Sequence, residues 1–320
     1  MMKTAVAIGI GLVASLYIMN ASWRAPAPDG PRSFLAHRGV HQLYDRENLG
    51  PHDCTATRMF PPIHSFLENT LPSIEAALAH GADAIEIDIH PTRDGAFIVF
   101  HDYTVDCRTE GTGRTQDKTV AELKALDIGY GYTADGGESF PFRGEGVGLA
   151  PTLAEVLKSF PDTPFLLNLK GDTLDHADRL IAYLNGLDGV DASNLSVYGG
   201  SNALMARIES LEPQIRTFTT YSIKTCAKAY AMWGWSGRMP ALCRDTTMVI
   251  PVNFAPYLWG WPNLFQKRMA EAGTKVYITG PRRKNFAIGG LNSVEDYESL
   301  PASYKGGIWT DQIERLPVKD

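Results

Sequence analysis

Hydrophobic and polar positions alternate with a period of two at several places in the chain, and the most informative run is Ala84 to Ile89. Ile85, Ile87 and Ile89 face one way, Glu86 and Asp88 the other. A strand with an apolar face and a second face carrying two carboxylates calls for a cation on that second face. Asp94-Gly95 signals a hairpin turn after Pro91, and Phe97 to Phe100 reads as a second strand ending at His101-Asp102. Too few residues separate the two strands for a parallel crossover, which needs about a dozen. The second strand must therefore run antiparallel and carry His101 back beside Glu86 and Asp88. Two carboxylates and an imidazole at one point make a metal site with a candidate general acid or base.

The remaining pattern alternates strands with helices. Ser33 to Ala36 is a short strand ending in His37-Arg38-Gly39. Leu71, Ile74, Ala77 and Leu78 share one helical face over Leu71 to His80, with Asn69 or Thr70 as cap and Gly81 as stop. Thr119-x-x-Glu122 and Thr152-x-x-Glu155 are capping boxes that open helices to Leu126 and through Phe160. Strand Phe165 to Lys170 follows, with Asn168 and Lys170 on one face. Then come helix Thr173–Leu187, strand Leu195–Tyr198, helix Asn202–Leu211 and strand Ile215–Phe218. A Trp- and Gly-rich segment leads to strand Met248–Val252, helix Asn263–Ala272, strand Val276–Thr279, a short helix Ser293–Leu300 and strand Gly307–Thr310. Setting the 97–100 strand aside as an added hairpin leaves eight parallel strands, which predicts an α/β fold, a TIM (β/α)8 barrel over residues 33–320. His37, Glu86, Asp88, Asn168, Lys170 and Asp311 all fall at the C-terminal strand ends, where such barrels carry their sites.

Composition adds limits. The net charge of −6 argues against a nucleic-acid partner. Residues 1–23 differ in kind from the rest: Lys3 precedes an uncharged run to Arg24, almost wholly apolar from Ala5 to Met19. This reads as a signal anchor that tethers the chain to a membrane through residues 4–23, with a cleaved signal peptide or a buried helix of the domain as alternatives. Residues 24–32, rich in proline, form a linker. The body is then expected on the periplasmic or extracellular side, anchored or secreted. Four cysteines suit an exported chain. Cys54–Cys107 and Cys226–Cys243 are the expected pairs, four buried thiols the alternative. Residues 40–66 lack periodicity, and a loop of that length is functional or disordered.

Taken in order, the motifs are His37-Arg38-Gly39, Glu68-Asn69-Thr70, Glu86-Ile87-Asp88, Thr92-Arg93-Asp94-Gly95, His101-Asp102, Asn168-Leu169-Lys170 and Thr310-Asp311. This series resembles the glycerophosphodiester phosphodiesterase family, densely over residues 34–102 and in patches afterwards. The resemblance implies a TIM barrel with a small insertion after the His-Asp hairpin, about residues 104–150. It implies a divalent metal, Ca2+ or Mg2+, on Glu86 and Asp88, His37 and His101 as the acid–base pair, and Arg38 and Lys170 near the phosphate. Glu68 joins the catalytic set or supports the helix end. The family's third metal ligand is a glutamate; Asn168 stands in its place and offers an uncharged oxygen. The implied reaction is metal-dependent hydrolysis of a glycerophosphodiester to glycerol 3-phosphate and an alcohol. Two alternatives are a lipid hydrolase of the lysophospholipase D or sphingomyelinase D kind, and a barrel that binds a phosphodiester without turnover. Lys170 has a structural ion pair to Glu86 or Asp88 as its alternative role. His90 reads as part of the hairpin, and His41, His52 and His64 as loop surface. Trp233, Trp235, Trp259 and Trp261 read as an apolar wall for a choline or acyl group, or as packing.

Overall fold

Ile85, Ile87 and Ile89 are completely buried, and each contributes roughly 1.5–3 kcal/mol by leaving water. Their strand is the middle of the architecture. The computed structural model describes residues 11, 14–50, 53–171 and 173–317. Its strands are β1 (Ser33–His37), β2 (Ala84–Pro91), β3 (Phe97–Val99), β4 (Phe165–Leu169), β5 (Leu195–Gly199), β6 (Arg216–Phe218), β7 (Thr247–Pro251), β8 (Lys275–Thr279) and β9 (Gly307–Thr310). The order across the sheet is β6-β5-β4-β2-β1-β9-β8-β7, every neighbouring pair parallel. β3 pairs antiparallel with β2, Ile89 opposite Val99, as the short connection requires. This is a nearly closed barrel of eight parallel strands, with no ladder between β6 and β7 among the described residues.

The helices are α1 (Leu71–Ala79), α2 (Val120–Lys124), α3 (Leu153–Ser159), α4 (Leu174–Asn185), α5 (Asn202–Leu211), α6 (Thr220–Trp233), α7 (Asn263–Glu271) and α8 (Val294–Ser299). Against them packs the outer face of the barrel, with Ala36, Ile87, Leu167, Val197, Ile250, Ile278 and Ile308. Leu35, Leu166 and Phe218 face inward with Tyr198, Tyr277 and Trp309. Both capping boxes form, at Thr119 and Thr152. Thr70 caps α1, which leaves Asn69 free for another task.

One helix differs from the sequence expectation. The segment read as merely Trp- and Gly-rich contains α6, 14 residues long and capped by Thr219 with Ser222. Ile223, Cys226, Ala227 and Tyr230 recur at helical spacing. The run is nevertheless rich in threonine, aromatic and β-branched residues, which are weak helix formers, so packing decides its state. The long loop at 40–66 is pinned rather than loose. Ala56, Met59 and Leu67 join Val105, Leu123, Ile128, Tyr132 and Phe142 of the 104–150 stretch in a second small core. Disulfides Cys54–Cys107 and Cys226–Cys243 both form. Most of the expected anchor at 1–23 lies outside the described residues, and among the described residues no helix is long and apolar enough to cross a membrane.

The first disulfide spans 53 residues and the second 17. Replacing the Cys54–Cys107 pair by serines should cost about 4 kcal/mol, roughly 1 kcal/mol more than the same change at Cys226–Cys243, because the longer loop regains more freedom when unfolded. Urea unfolding midpoints of the two double variants check the order.

Candidate active site

β1 delivers His37 to the barrel mouth, and the chain then leaves through two left-handed residues, Arg38 (φ 61°) and Gly39 (φ 75°). A Cβ on Gly39 would sit 2.6 Å from the Ser73 backbone, so no other residue fits there. The close approach lets the Arg38 carbonyl accept from the Asn69 N–H (3.0 Å) and the Ser73 hydroxyl (3.2 Å). Asn69 is itself left-handed (φ 61°), a conformation that costs of order 1–3 kcal/mol and must be held by its surroundings. The His-Arg-Gly and Glu-Asn-Thr triplets therefore form one structural unit.

At its centre is the Asp88 carboxylate, fully buried. Oδ1 lies 2.8 Å from Lys170 Nζ and accepts from Asn168 Nδ2 at 2.8 Å; Oδ2 accepts from Asn69 Nδ2 at 3.0 Å and lies 3.1 Å from Arg38 Nε. Burial opposes its charge, but Lys170 and Arg38 outweigh that and hold its acidity well below the usual carboxylate range. Arg38 also donates to Glu68 Oε1 at 3.0 Å. Glu68 in turn pairs with Arg108 at 3.3 Å, and Arg108 with Asp102 at 2.9 Å. Asp102 receives His101 Nδ1 at 2.5 Å. An unbroken chain of alternating charges thus runs from Asp88 to His101. His37 Nδ1 meets Asp311 Oδ1 at 2.5 Å, and Asp311 Oδ2 is fixed by Arg46 (3.1 Å), the Gly290 N–H (2.6 Å) and Asn292 Nδ2 (2.9 Å).

Both imidazoles have the same design. A carboxylate only accepts, so Nδ1 of each carries the hydrogen and Nε2 keeps its lone pair. Burial, then the Arg38 charge, lowers both to about 4 against the pull of the carboxylates. Both are neutral at neutral pH and competent as bases. Glu86 has a different environment. Its Oε1 accepts from the Tyr198 hydroxyl at 2.7 Å, while the buried Oε2 has no hydrogen-bond partner and lies 3.7 Å from His37 Nε2. Burial and then the Asp88 charge push its carboxyl up to about 8.

A buried oxygen with no donor is what a hard cation would satisfy. Five carboxylates (Glu68, Glu86, Asp88, Asp102, Asp311) face four cations (Arg38, Arg46, Arg108, Lys170), so the neutral-histidine site carries one net negative charge when Glu86 is ionised. A divalent cation together with a singly charged phosphodiester would cancel it. The donor set fits such a cation, with Glu86 Oε2 as the open position. Asp88 and Asn168 border it, but Asp88 is engaged by Lys170, and Asn168 turns its amide nitrogen toward Asp88. A second group, His37, His41 and Asp311, has ligand atoms all within 4.8 Å of one another and could hold an ion as well.

Of the residues singled out in the sequence, His37, Arg38, Glu68, Glu86, Asp88, Asn168 and Lys170 are linked directly, and His101 joins through Asp102 and Arg108. Lys170 makes the ion pair with Asp88. His41, expected at the surface, is completely buried beside His37 with neither ring nitrogen hydrogen-bonded. Arg46, Arg108, Tyr198 and Asn292 escaped the sequence reading, since each lies in a stretch without a motif. The aromatic wall beside His37 is Trp309, 5.6 Å away, not the four tryptophans considered. Trp259 and Trp261 pack on the main core, while Trp233 and Trp235 are exposed.

The model of the glycerophosphoryl diester phosphodiesterase family matches residues 37–277. The chain belongs to this family. Within it, the chain is 42% identical over 103 residues to a glycerophosphodiester phosphodiesterase of Caldanaerobacter subterraneus, and 42% identical over 96 residues to one of Bacillus subtilis. These alignments take in 32% and 29% of this chain and only 39% and 31% of the relatives. In fold it is similar to the glycerophosphoryl diester phosphodiesterase domain of an uncharacterized Mycobacterium tuberculosis protein (TM-score 0.60, 17% identity, 89% of this chain and 97% of that one). It is also similar to an Oleispira antarctica phosphodiesterase solved with the product sn-glycerol-3-phosphate (TM-score 0.53, 20% identity, 91% and 95% covered).

Arg108 is the only described residue pairing with both Glu68 and Asp102. Arg108→Met should cost about 3 kcal/mol, because Asp102 loses its cation and the buried Glu68 keeps only Arg38 of its two. Glu68 is held down to about 2, where burial opposes and Arg108 and Arg38 prevail. Its contribution is therefore complete above about 4.5, the unfolded value, and is lost as pH falls toward 2. Acid titration followed by circular dichroism should show the variant unfolding at a higher pH than the parent.

Proposed function

We propose that this protein hydrolyses glycerophosphodiesters to glycerol 3-phosphate and an alcohol, with His37 and His101 exchanging protons with the substrate. The observation that carries this reading is the paired arrangement of two neutral imidazoles, Nδ1 of His37 on the buried Asp311 and Nδ1 of His101 on the partly buried Asp102, with no hydrogen bond at either Nε2 among the described residues, around the Arg38–Asp88–Lys170 cluster. The product bound in the Oleispira antarctica phosphodiesterase supports the substrate class.

The substrate's anionic phosphorus group would be drawn by Arg38 and Lys170, which keeps it between the two histidines. One Nε2 takes the proton of an attacking hydroxyl, the glycerol 2-hydroxyl of the substrate itself, as its oxygen bonds to phosphorus. The bond to the alcohol breaks, and the leaving oxygen receives a proton from the other imidazole, protonated beside the phosphodiester anion. Water then opens the cyclic phosphate with the two roles reversed, returning both protons to their starting places. Glu86, Asp88 and Asn168 would hold a divalent cation, Ca2+ or Mg2+, whose chemistry is to neutralise charge on the phosphoryl oxygens. Asp311 and Asp102 keep each imidazole in one tautomer.

A lysolipid substrate is the second reading, favoured by the exposed aromatic residues near the apolar N-terminal run. Product release from glycerophosphocholine and from lysophosphatidylcholine, each with Ca2+, Mg2+ or chelator, tests both. Glycerol 3-phosphate formed from the first only with metal supports the main reading. Release from the lysolipid alone moves the activity to lipid, and release from neither substrate sinks catalysis.

His37→Ala and His101→Ala should each lower kcat by about 100- to 10,000-fold with little change in KM, as the loss of a proton-transfer group predicts. Steady-state kinetics at saturating metal decide this. The Glu86 carboxyl must lose its proton before it takes a cation, so metal affinity should rise with pH up to about 8 and level off above it. Calorimetry in buffers of different ionisation enthalpy should record about one proton released per metal at pH 6 and almost none at pH 9. Asn168→Glu should tighten binding about tenfold by adding a charged ligand.

A further inference from the structure

Acidic residues are distributed unevenly along this chain. The whole chain has 36 acidic and 30 basic residues. Residues 213–270 hold a single acid, Asp245, against Arg216, Lys224, Lys228, Arg238, Arg244, Lys267 and Arg268, and residues 1–28 hold no acid at all. On α6, Tyr221, Lys224, Lys228 and Met232 recur at helical spacing and are all exposed, so one face is basic and apolar together. Beyond its end, Trp233 is 55% and Trp235 40% exposed.

The N-terminal segment meets the barrel at this place. Residues 14–19 are helical, and the turn after them is held by four hydrogen bonds. Asn20 Nδ2 donates to the Trp235 carbonyl (2.9 Å), Arg268 to Asn20 Oδ1 (3.0 Å), the Asn263 N–H to Ser22 Oγ (3.0 Å) and Asn263 Nδ2 to the Ala25 carbonyl (3.3 Å). Tyr17 and Trp23 share a cleft with Tyr257, which is 83% exposed. Exposed apolar side chains rich in Trp and Tyr, fringed by Lys224, Lys228 and Arg238 with Glu271 as the carboxylate near Arg238 and Lys267, have the chemistry of a bilayer interface carrying anionic lipid.

We propose that this face, Trp23, Tyr257, Met232, Trp233 and Trp235 with the basic side of α6, lies on an anionic membrane surface. The apolar run from Ala5 to Met19 leads into the same face, so a tether there and the barrel surface would engage one bilayer together. The inference concerns orientation and does not depend on the reaction proposed above.

The test uses the full chain reconstituted in vesicles of phosphatidylcholine, with and without phosphatidylglycerol, the acyl chains brominated to quench tryptophan. Trp23→Phe alone and Trp233→Phe/Trp235→Phe together keep the surface apolar while removing reporters. If the face is docked, the 233/235 pair should account for about half of the quenched emission. Quenching at these positions should fall severalfold without phosphatidylglycerol, in high salt, or in a Lys224→Gln/Lys228→Gln/Arg238→Gln variant. Quenching confined to Trp23 would mean that a tether alone touches lipid and would overturn the proposal. So would quenching indifferent to the anionic lipid, or shielding of Trp233 and Trp235 by a second copy, seen as a doubled mass in detergent.

Discussion

The contact on which the site depends is the buried ion cluster around Asp88. A carboxylate removed from water costs several kcal/mol unless its oxygens are met, and here Lys170, Arg38, Asn168 and Asn69 meet both of them. The partners come from three different points in the chain. Arg38 follows β1, Asn69 precedes α1, and Asn168 and Lys170 end β4. Satisfying one carboxylate therefore sets the register of three strands and the entry to a helix. It also accounts for the unusual backbone at Arg38 and Asn69, since both left-handed residues aim their side chains at Asp88.

Burial first, and then the charge that propagates outward from that cluster in alternating sign, controls the histidines. Arg38 raises the cost of a proton on either imidazole, while Asp311 and Asp102 prevent either ring from turning. The same surroundings separate the two carboxylates of the Glu-x-Asp motif. Asp88 has cations beside it and stays ionised. Glu86 is buried beside the Asp88 charge with only a phenol donating to it, and it holds its proton more tightly. Neighbouring residues of one strand face thus differ sharply in acidity, which leaves Glu86 as the open position for an incoming cation.

The 104–150 stretch and the long loop at 40–66 serve this centre although neither belongs to the barrel. They bury a common apolar core, tied by Cys54–Cys107, and from beside that bridge comes Arg108. Its guanidinium, almost fully buried, contacts Thr55 and Tyr132 as well as Glu68 and Asp102. The small core is what keeps a charged group so deep, because a loop alone would let it swing into water.

The strand pattern was legible from residues alone: period-two alternation marks the strands that carry Glu86, Asp88, Asn168 and Lys170, short apolar runs between helices mark the others, and the short Pro91–Phe97 connection forces β3 antiparallel. Capping boxes at 119 and 152, the turn at Asp94-Gly95, and the motifs carrying His37, Glu86, Asp88 and His101 are local signals that survive without any knowledge of neighbours. Helix α6 was lost because its residues have weak intrinsic preference and its apolar stripe matters only once Cys226 and Tyr230 meet the core. Arg46, Arg108, His41, Tyr198 and Asn292 were lost for a related reason. Nothing adjacent in sequence distinguishes them, and their roles arise from contacts such as Asn292 with Asp311, 19 positions away, and Tyr198 with Glu86, 112 positions away. The sequence by itself determined which strand faces are apolar and which carry charge, since alternation is a property of consecutive residues. Only the tertiary structure decided which charge meets which, because pairing depends on distance and burial, and neither exists until the barrel closes.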